Sequence, residues 1–258
     1  MADLRKVLIS DKLAPEGVAI LEQAAGIEVE HLPGLKPEEL AARLAGYHGL
    51  LVRSGTRVTR ELLEAADSLE VVGRAGIGVD NVDVEAASKR GIVVMNTPTG
   101  NNVTTAEHTI SMLLAAARHI ARADASLRAG QWRRSDFIGT EVCNKTLGII
   151  GTGNVGAIVA DRARGLKMKV IAYDPYITEE AAERAGIEPV TLAELYARSD
   201  FISVHTPLTP ETEGMVGREA IEQMKPGVRV INCARGGIID EQALAAAIVE
   251  GKVAAAGI

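Results

Sequence analysis

A chain of 258 residues with 47% apolar and 24% charged side chains can bury one large core or two ordinary ones. Its formal net charge of -6 comes from interspersed acids and bases, with no basic stripe and no aromatic-basic interleaving, which argues against nucleic acid as a partner. The amino terminus lacks the apolar core of a signal peptide and no apolar run approaches a membrane span, so no membrane partner and a cytoplasmic location are expected.

Strand candidates in the first hundred residues are Val7-Leu8-Ile9, Ile27-Glu28-Val29, Leu50-Leu51-Val52, Val71-Val72-Gly73 and Ile92-Val93-Val94-Met95. Helical spacing occupies residues 16–24, 37–45, 60–66 and 84–89 between them, and Gly91 is a stop signal. Strands alternating with helices predict a parallel sheet covered on both faces. Ser10, Asp11, Arg53, Ser54, Arg74 and Asn96 follow those strands and would gather along one edge. A guanidinium offers carboxylate or phosphate a planar fork, so Arg53 and Arg74 suit a small anion; the alternative for each is a solvated surface charge.

Residues 104–127 carry one long helical pattern, opened by the capping-box sequence Thr104-Thr105-Ala106-Glu107 and closed by Gly130. Its middle, residues 110–117, is apolar on more than one face, which predicts burial at a domain junction or subunit interface. His108 and His119 on this stretch read as structural or interfacial. The pattern divides the chain into a domain over 1–99 and a second over 100–258.

Thr146-Leu147-Gly148-Ile149-Ile150 reads as a strand, followed by Gly151-Thr152-Gly153-Asn154-Val155-Gly156 and a helix over 157–166. Gly-x-Gly-x-x-Gly in a strand-turn-helix setting is a dinucleotide fingerprint. Gly151 permits the tight turn, Gly153 lets a pyrophosphate approach the backbone, and Gly156 lets helix and strand pack closely. The next strand, residues 169–173, ends at Asp174, 23 positions after Gly151, where a ribose-binding acid is expected. Asp174 would repel a 2'-phosphate and no arginine follows it, which favours NAD over NADP. Further strands are expected at 201–204, 228–231 and 253–257.

Two polar groups follow these strands. His205, with Thr206-Pro207, invites a proton-donor role in hydride transfer, but the preferred reading is support of the loop that presents Thr206 and Pro207. Asn232-Cys233-Ala234-Arg235-Gly236-Gly237 puts a fixed cation, Arg235, at the mouth of the sheet, ahead of a helix begun by Asp240. Cys143 and Cys233 stand alone, without histidines in ligand spacing, so neither a metal site nor a disulfide framework is expected.

Gly151 to Gly156 with Asp174, His205-Thr206-Pro207-Leu208 and the segment from Asn232 to Glu241 resemble the NAD-dependent D-2-hydroxyacid dehydrogenases. Val52-Arg53-Ser54, the run from Arg74 to Asp83 and that from Asn96 to Asn102 are similar to the branch acting on 3-phosphoglycerate, at the entry to the phosphorylated route to serine. The resemblance implies an α/β fold with a doubly wound Rossmann NAD-binding domain and a smaller flavodoxin-like α/β substrate domain, both incomplete at the carboxyl end. It implies that Arg235 is catalytic, holding the substrate carboxylate and polarising the C2 oxygen. Gly151, Gly153, Asn154, Val155, Gly156, Asp174, Thr206 and Pro207 fall on cofactor positions, as does the backbone of Cys233, Ala234 and Arg235. Arg53, Ser54, Arg74, Gly76 and Asn101 fall on substrate positions. Arg134 is a weaker candidate, for a phosphate contact in a neighbouring subunit of a homodimer formed through the 104–128 region. The family pattern continues after Ala-Ala-Gly-Ile into segments carrying the acid/base glutamate and histidine. These are not in the 258 residues, so binding of NAD with background turnover is expected of this chain. A glyoxylate or hydroxypyruvate reductase, and a non-catalytic NAD-sensing module, are the alternatives.

Overall fold

Short apolar strands separated by capped helices set the architecture of the first hundred residues. The computed structural model describes residues 4–258 and divides into two units, Met1–Asn101 and Asn102–Ile258. In the first, β1 (Arg5–Ile9), β2 (Ile27–His31), β3 (Gly49–Val52), β4 (Val71–Arg74) and β5 (Val93–Asn96) alternate with α1 (Pro15–Glu22), α2 (Pro37–Arg43), α3 (Arg60–Ala65) and α4 (Val84–Lys89). Proline opens α1 and α2, where a missing N–H costs nothing. Thr59 and Asp83 cap α3 and α4 by accepting from Leu62 N and Ala86 N. The five parallel strands order β2-β1-β3-β4-β5, with Leu8, Leu50 and Val72 fully buried. The chain therefore leaves β1 in one direction and returns at β3 to build the other, placing a topological switch point between them.

The second unit opens with α5 (Asn102–Arg118) and α6 (Ile120–Arg128), then a short 3-10 helix (Arg134–Phe137). One continuous helix over 104–127 was the expectation; the structure breaks it at His119, which is left-handed at φ 56. The reason is tertiary: Thr140 N donates to Ala117 O at 2.8 Å, taking the carbonyl that a continued helix would use. Thr104 and Glu107 lie inside α5 rather than at its start, so they form no capping box. Ala106, Thr109, Leu113 and Ala117 are buried against α7 and the sheet described next, while Ile110, Met112 and Leu114 are half-buried.

β6 (Thr146–Ile150), α7 (Asn154–Gly165), β7 (Lys169–Tyr173), α8 (Glu179–Ala185), β8 (Glu188–Pro189), α9 (Leu192–Arg198), β9 (Phe201–Val204), α10 (Arg218–Gln223), β10 (Val228–Asn232), α11 (Glu241–Val249) and β11 (Val253–Gly257) complete this unit. The six parallel strands order β11-β10-β9-β6-β7-β8, the arrangement of a doubly wound nucleotide-binding sheet, with its switch point between β6 and β9. Two-residue β8 carries too little pattern to be read from sequence. α7 starts three residues earlier than its apolar spacing suggests, because Gly153 acts as its N-cap.

A candidate cofactor site and a candidate anion site

Ladder bonds carry the strand register of the second sheet past its carboxyl edge. Gly151 N donates to Tyr173 O at 2.9 Å and His205 N to Ile150 O at 2.8 Å, so the glycine turn, Asp174 and His205 gather beside the switch point. Gly151 has φ +91, open to glycine at little cost, and a Cβ there would meet His205 O at 2.9 Å. A Cβ on Gly156 would lie 2.1 Å from Gly151 O, whereas one on Gly153 would meet nothing within 4 Å. Helix and turn are thus in backbone contact at Gly156, and a clear space lies over Gly153. The N–H groups of Asn154, Val155 and Gly156 belong to the first turn of α7 and lack intrahelical acceptors.

Asp174 is fixed from three sides. Thr152 N and Thr152 Oγ1 donate to its Oδ2 at 2.7 and 2.8 Å, and Tyr176 N donates to Oδ1 at 2.9 Å. Partial burial pushes its pKa up, but these three bonds outweigh burial and hold the carboxyl below its ordinary range. With about four acceptor sites on a carboxylate, capacity remains on Oδ1 for a further hydroxyl donor. Thr152 is a site residue that sequence reasoning passed over, since it occupies a variable position of the glycine motif.

His205 packs beneath the turn, with Nε2 2.8 Å from Ser203 Oγ on β9. Burial lowers its pKa to about 4; the residue keeps a little exposed surface, but Nδ1 is buried with no partner. That environment suits a neutral brace and not a proton carrier. Thr206 Oγ1 is also buried without a partner. Beyond β10, Asn232 clasps its own turn: Nδ2 donates to Arg235 O at 2.7 Å and Oδ1 accepts from Ala234 N at 3.0 Å. Arg235, half-buried, donates from Nη1 to Ala234 O at 2.8 Å. Cys233 is half-buried, and burial raises its thiol pKa. Pro207 is exposed.

In the first unit, Asp11, Lys12, Pro33, Gly34, Arg53, Ser54 and Gly55 line a cavity of about 340 Å3 at the switch point between β1 and β3. Arg53 and Ser54 are exposed there. Arg74, at the end of β4, folds over Gly76: a Cβ on that glycine would fall 1.4 Å from Arg74 Nη1. Asn101 and Arg134 are both exposed, Asn101 as the last residue of the first unit and Arg134 in the 3-10 helix of the second. No group of three or more histidine, cysteine or acidic side chains able to hold a metal occurs among the described residues, and no helix among them is long and apolar enough to cross a membrane.

A family profile described as D-isomer specific 2-hydroxyacid dehydrogenase, NAD binding domain, matches residues 110–258. The chain belongs to that family. D-3-phosphoglycerate dehydrogenase of Methanocaldococcus jannaschii is 49% identical over 254 residues, covering 98% of this chain and 48% of the relative. The Homo sapiens protein of the same name is 50% identical over 257 residues, covering all of this chain and 48% of its own length. The chain spans about half the length of these curated relatives. Among solved structures, the TT0316 protein from Thermus thermophilus superposes with a TM-score of 0.89 at 35% identity, covering 97% of this chain and 80% of that one. D-lactate dehydrogenase from Aquifex aeolicus, solved with NAD and lactic acid, gives 0.87 at 29% identity, covering 98% and 75%. The matched region is that family's NAD-binding domain, and NAD is its cofactor. The open space over Gly153, the pinned Asp174 and the orphaned Thr206 hydroxyl fit a dinucleotide.

Proposed function

We propose that this chain forms the NAD-binding and substrate-binding parts of a D-3-phosphoglycerate dehydrogenase, oxidising the C2 hydroxyl of 3-phosphoglycerate to the ketone. One observation carries the choice of substrate. Identity of 49–50% to relatives of that name runs through the first unit as well as the second, and the first unit holds Arg53 and Ser54 in a cavity at its switch point, with Arg74 and Gly76 at the end of the adjoining strand β4.

NAD, held by the residues of the second unit, would supply the hydride acceptor for C2. The glycine turn and the α7 amino terminus hold its pyrophosphate with backbone N–H groups, and Asp174 accepts from the ribose hydroxyls while repelling a 2'-phosphate. Arg235 binds the substrate carboxylate and stabilises charge growing on the C2 oxygen. Arg53, Ser54, Arg74 and Asn101 serve the phosphate and carboxylate. The hydroxyl proton needs a separate base. A guanidinium such as that of Arg235 offers donors only, and His205 is committed to Ser203 beneath the turn.

We also assign the exposed apolar side chains of Ile120, Leu127, Trp132 and Ile138 to a homodimer interface, which would place Arg134 beside a neighbouring subunit's substrate. Ligand titration tests the whole reading. NAD should bind at least about tenfold more tightly than NADP, with Asp174→Ala narrowing the gap. The NAD-bound chain should prefer 3-phosphoglycerate to D-lactate and glyoxylate, and Arg53→Ala should remove the preference. Equal affinity for phosphorylated and unphosphorylated acids would point to another hydroxyacid dehydrogenase.

A further inference from the structure

Residues 53–56 join β3 to the segment leading into α3, and their backbone bonds are taken up by side chains from other elements. Asp11, just beyond β1, accepts from Arg53 N at 2.6 Å and from Thr56 N at 3.1 Å, both on Oδ2. Asn81 supplies the opposite complement. Its Nδ2 donates to Arg53 O at 2.6 Å and to Thr56 O at 2.7 Å. Ser10, itself buried, adds an Oγ to Thr56 Oγ1 contact at 3.0 Å. Both amides and both carbonyls that flank Ser54 and Gly55 are therefore held by two polar side chains, one on each side of the loop.

Two details argue that this arrangement serves geometry. A carboxylate beside an anion-binding loop works against the ligand electrostatically, yet Asp11 lines the same cavity as Lys12 and Arg53. Asn81 Oδ1 is buried with no partner, a costly state tolerated where the two donated bonds matter more. Gly55 closes the contact, since a Cβ there would sit 2.6 Å from Asp11 Oδ1.

We infer that Asp11 and Asn81 are positioning residues: they clamp the backbone of residues 53–56 so that Arg53 and Ser54 are presented to an anionic substrate at the switch point of the first sheet. The inference rests on the proposal that this cavity takes a phosphorylated acid. It assigns Asp11 an acceptor role that needs one oxygen and no charge, because both amides meet the same atom.

The test is calorimetric titration of the 258-residue chain with 3-phosphoglycerate, NAD affinity and the thermal midpoint being recorded for every variant. Asp11→Ala should weaken 3-phosphoglycerate by at least about tenfold, because the released backbone of residues 53–56 no longer fixes Arg53 and Ser54 before the ligand arrives. Asp11→Asn keeps the acceptor and relieves the repulsion, so it should bind as well as the parent or better. Asn81→Asp, which faces two carbonyls with a carboxylate, and Gly55→Ala, which pushes Asp11 away, should weaken it like Asp11→Ala. NAD affinity should stay constant in all four. Asp11→Asn weakening binding as much as Asp11→Ala would make the charge decisive and overturn the inference. Should Asp11→Ala fail to fold, Gly55→Ala decides: normal affinity in that variant refutes the clamp. Arg53→Ala separates the two levels of argument. If it leaves binding unchanged, the anion-site proposal itself falls; if it abolishes binding while Asp11→Ala, Asn81→Asp and Gly55→Ala do not, only the clamp falls.

Discussion

Gly153 and Gly156 belong to one motif but should fail in opposite ways when each becomes alanine. At Gly156 the added methyl would lie 2.1 Å from Gly151 O, a backbone atom that cannot rotate away, so α7 or the turn must move by about 1 Å to reach ordinary contact. Overpacking of that kind costs about 1–3 kcal/mol, and alanine inside a helix returns up to about 1 kcal/mol. The net loss is up to about 2 kcal/mol, or a fall of up to roughly 8 °C in the thermal midpoint for a domain of this size. At Gly153 the methyl meets nothing, and φ -61 suits alanine. Only the N-cap preference of glycine over alanine is lost, less than about 1 kcal/mol. The same methyl fills the space assigned to the pyrophosphate, so NAD affinity should fall by at least about thirtyfold, equivalent to about 2 kcal/mol. Differential scanning fluorimetry without ligand and calorimetric titration with NAD measure both quantities on the same samples. A Gly153→Ala chain that binds NAD within about twofold of the parent, or one that melts as early as Gly156→Ala, would refute the assignment of that space.

Three further outcomes follow from the geometry. His205 has a folded pKa of about 4 against an ordinary 6.5, so the unfolded chain binds the extra proton first; stability should be full above pH 6.5 and decline by about 2–3 kcal/mol as pH falls towards 4. Urea unfolding across that range should show the slope, and His205→Asn should flatten it; an unchanged slope in the variant would locate the proton elsewhere. Arg235→Gln should weaken carboxylate-bearing ligands by about tenfold or more through loss of a charged bidentate contact, and titration should find NAD affinity nearly unchanged. Leu127→Glu, placing a charge on the exposed apolar surface of α6, should shift sedimentation equilibrium towards monomer; an unaltered mass would remove the dimer assignment from this helix.

Most of the strands and the glycine turn were legible because parallel strands buried on both faces leave continuous apolar runs, as in Val7-Leu8-Ile9 and Phe201-Ile202-Ser203-Val204. Asp174 was legible from spacing, since one strand and one helix fix its distance from Gly151. What stayed hidden depends on tertiary contacts. The break at His119 comes from Thr140 reaching Ala117 O, a bond between segments that local periodicity cannot register. β8 pairs through only two residues, Ile171 with Glu188 and Ala172 with Pro189. Thr152 and Asn81 are ordinary polar residues in sequence, and only the fold brings them to Asp174 and to the 53–56 loop. Asp11 could be placed at the sheet edge from sequence, but its acceptor role could not.

Under the proposed reading, the two switch points would bind anions by different physical means. In the second unit the proposed donors are the backbone N–H groups of the first turn of α7, for which the helix has no internal acceptors. In the first unit Asp11 takes the N–H groups of Arg53 and Thr56, which under that reading leaves recognition largely to the guanidinium of Arg53 on a loop with a fixed backbone and that of Arg74 at the end of β4. Backbone recognition is set by fold and tolerates side-chain change, provided no Cβ enters the space. Side-chain recognition is set by charge and can be retuned one residue at a time. The consequence is a difference in salt sensitivity. Raising ionic strength from about 0.01 to 0.15 M shortens the screening length from about 30 to 8 Å, and should weaken 3-phosphoglycerate binding at the exposed Arg53 more steeply than NAD binding at the α7 amino terminus. Parallel salt titrations of the two ligands would measure that difference, and equal slopes would mean that the first cavity does not work through its charges.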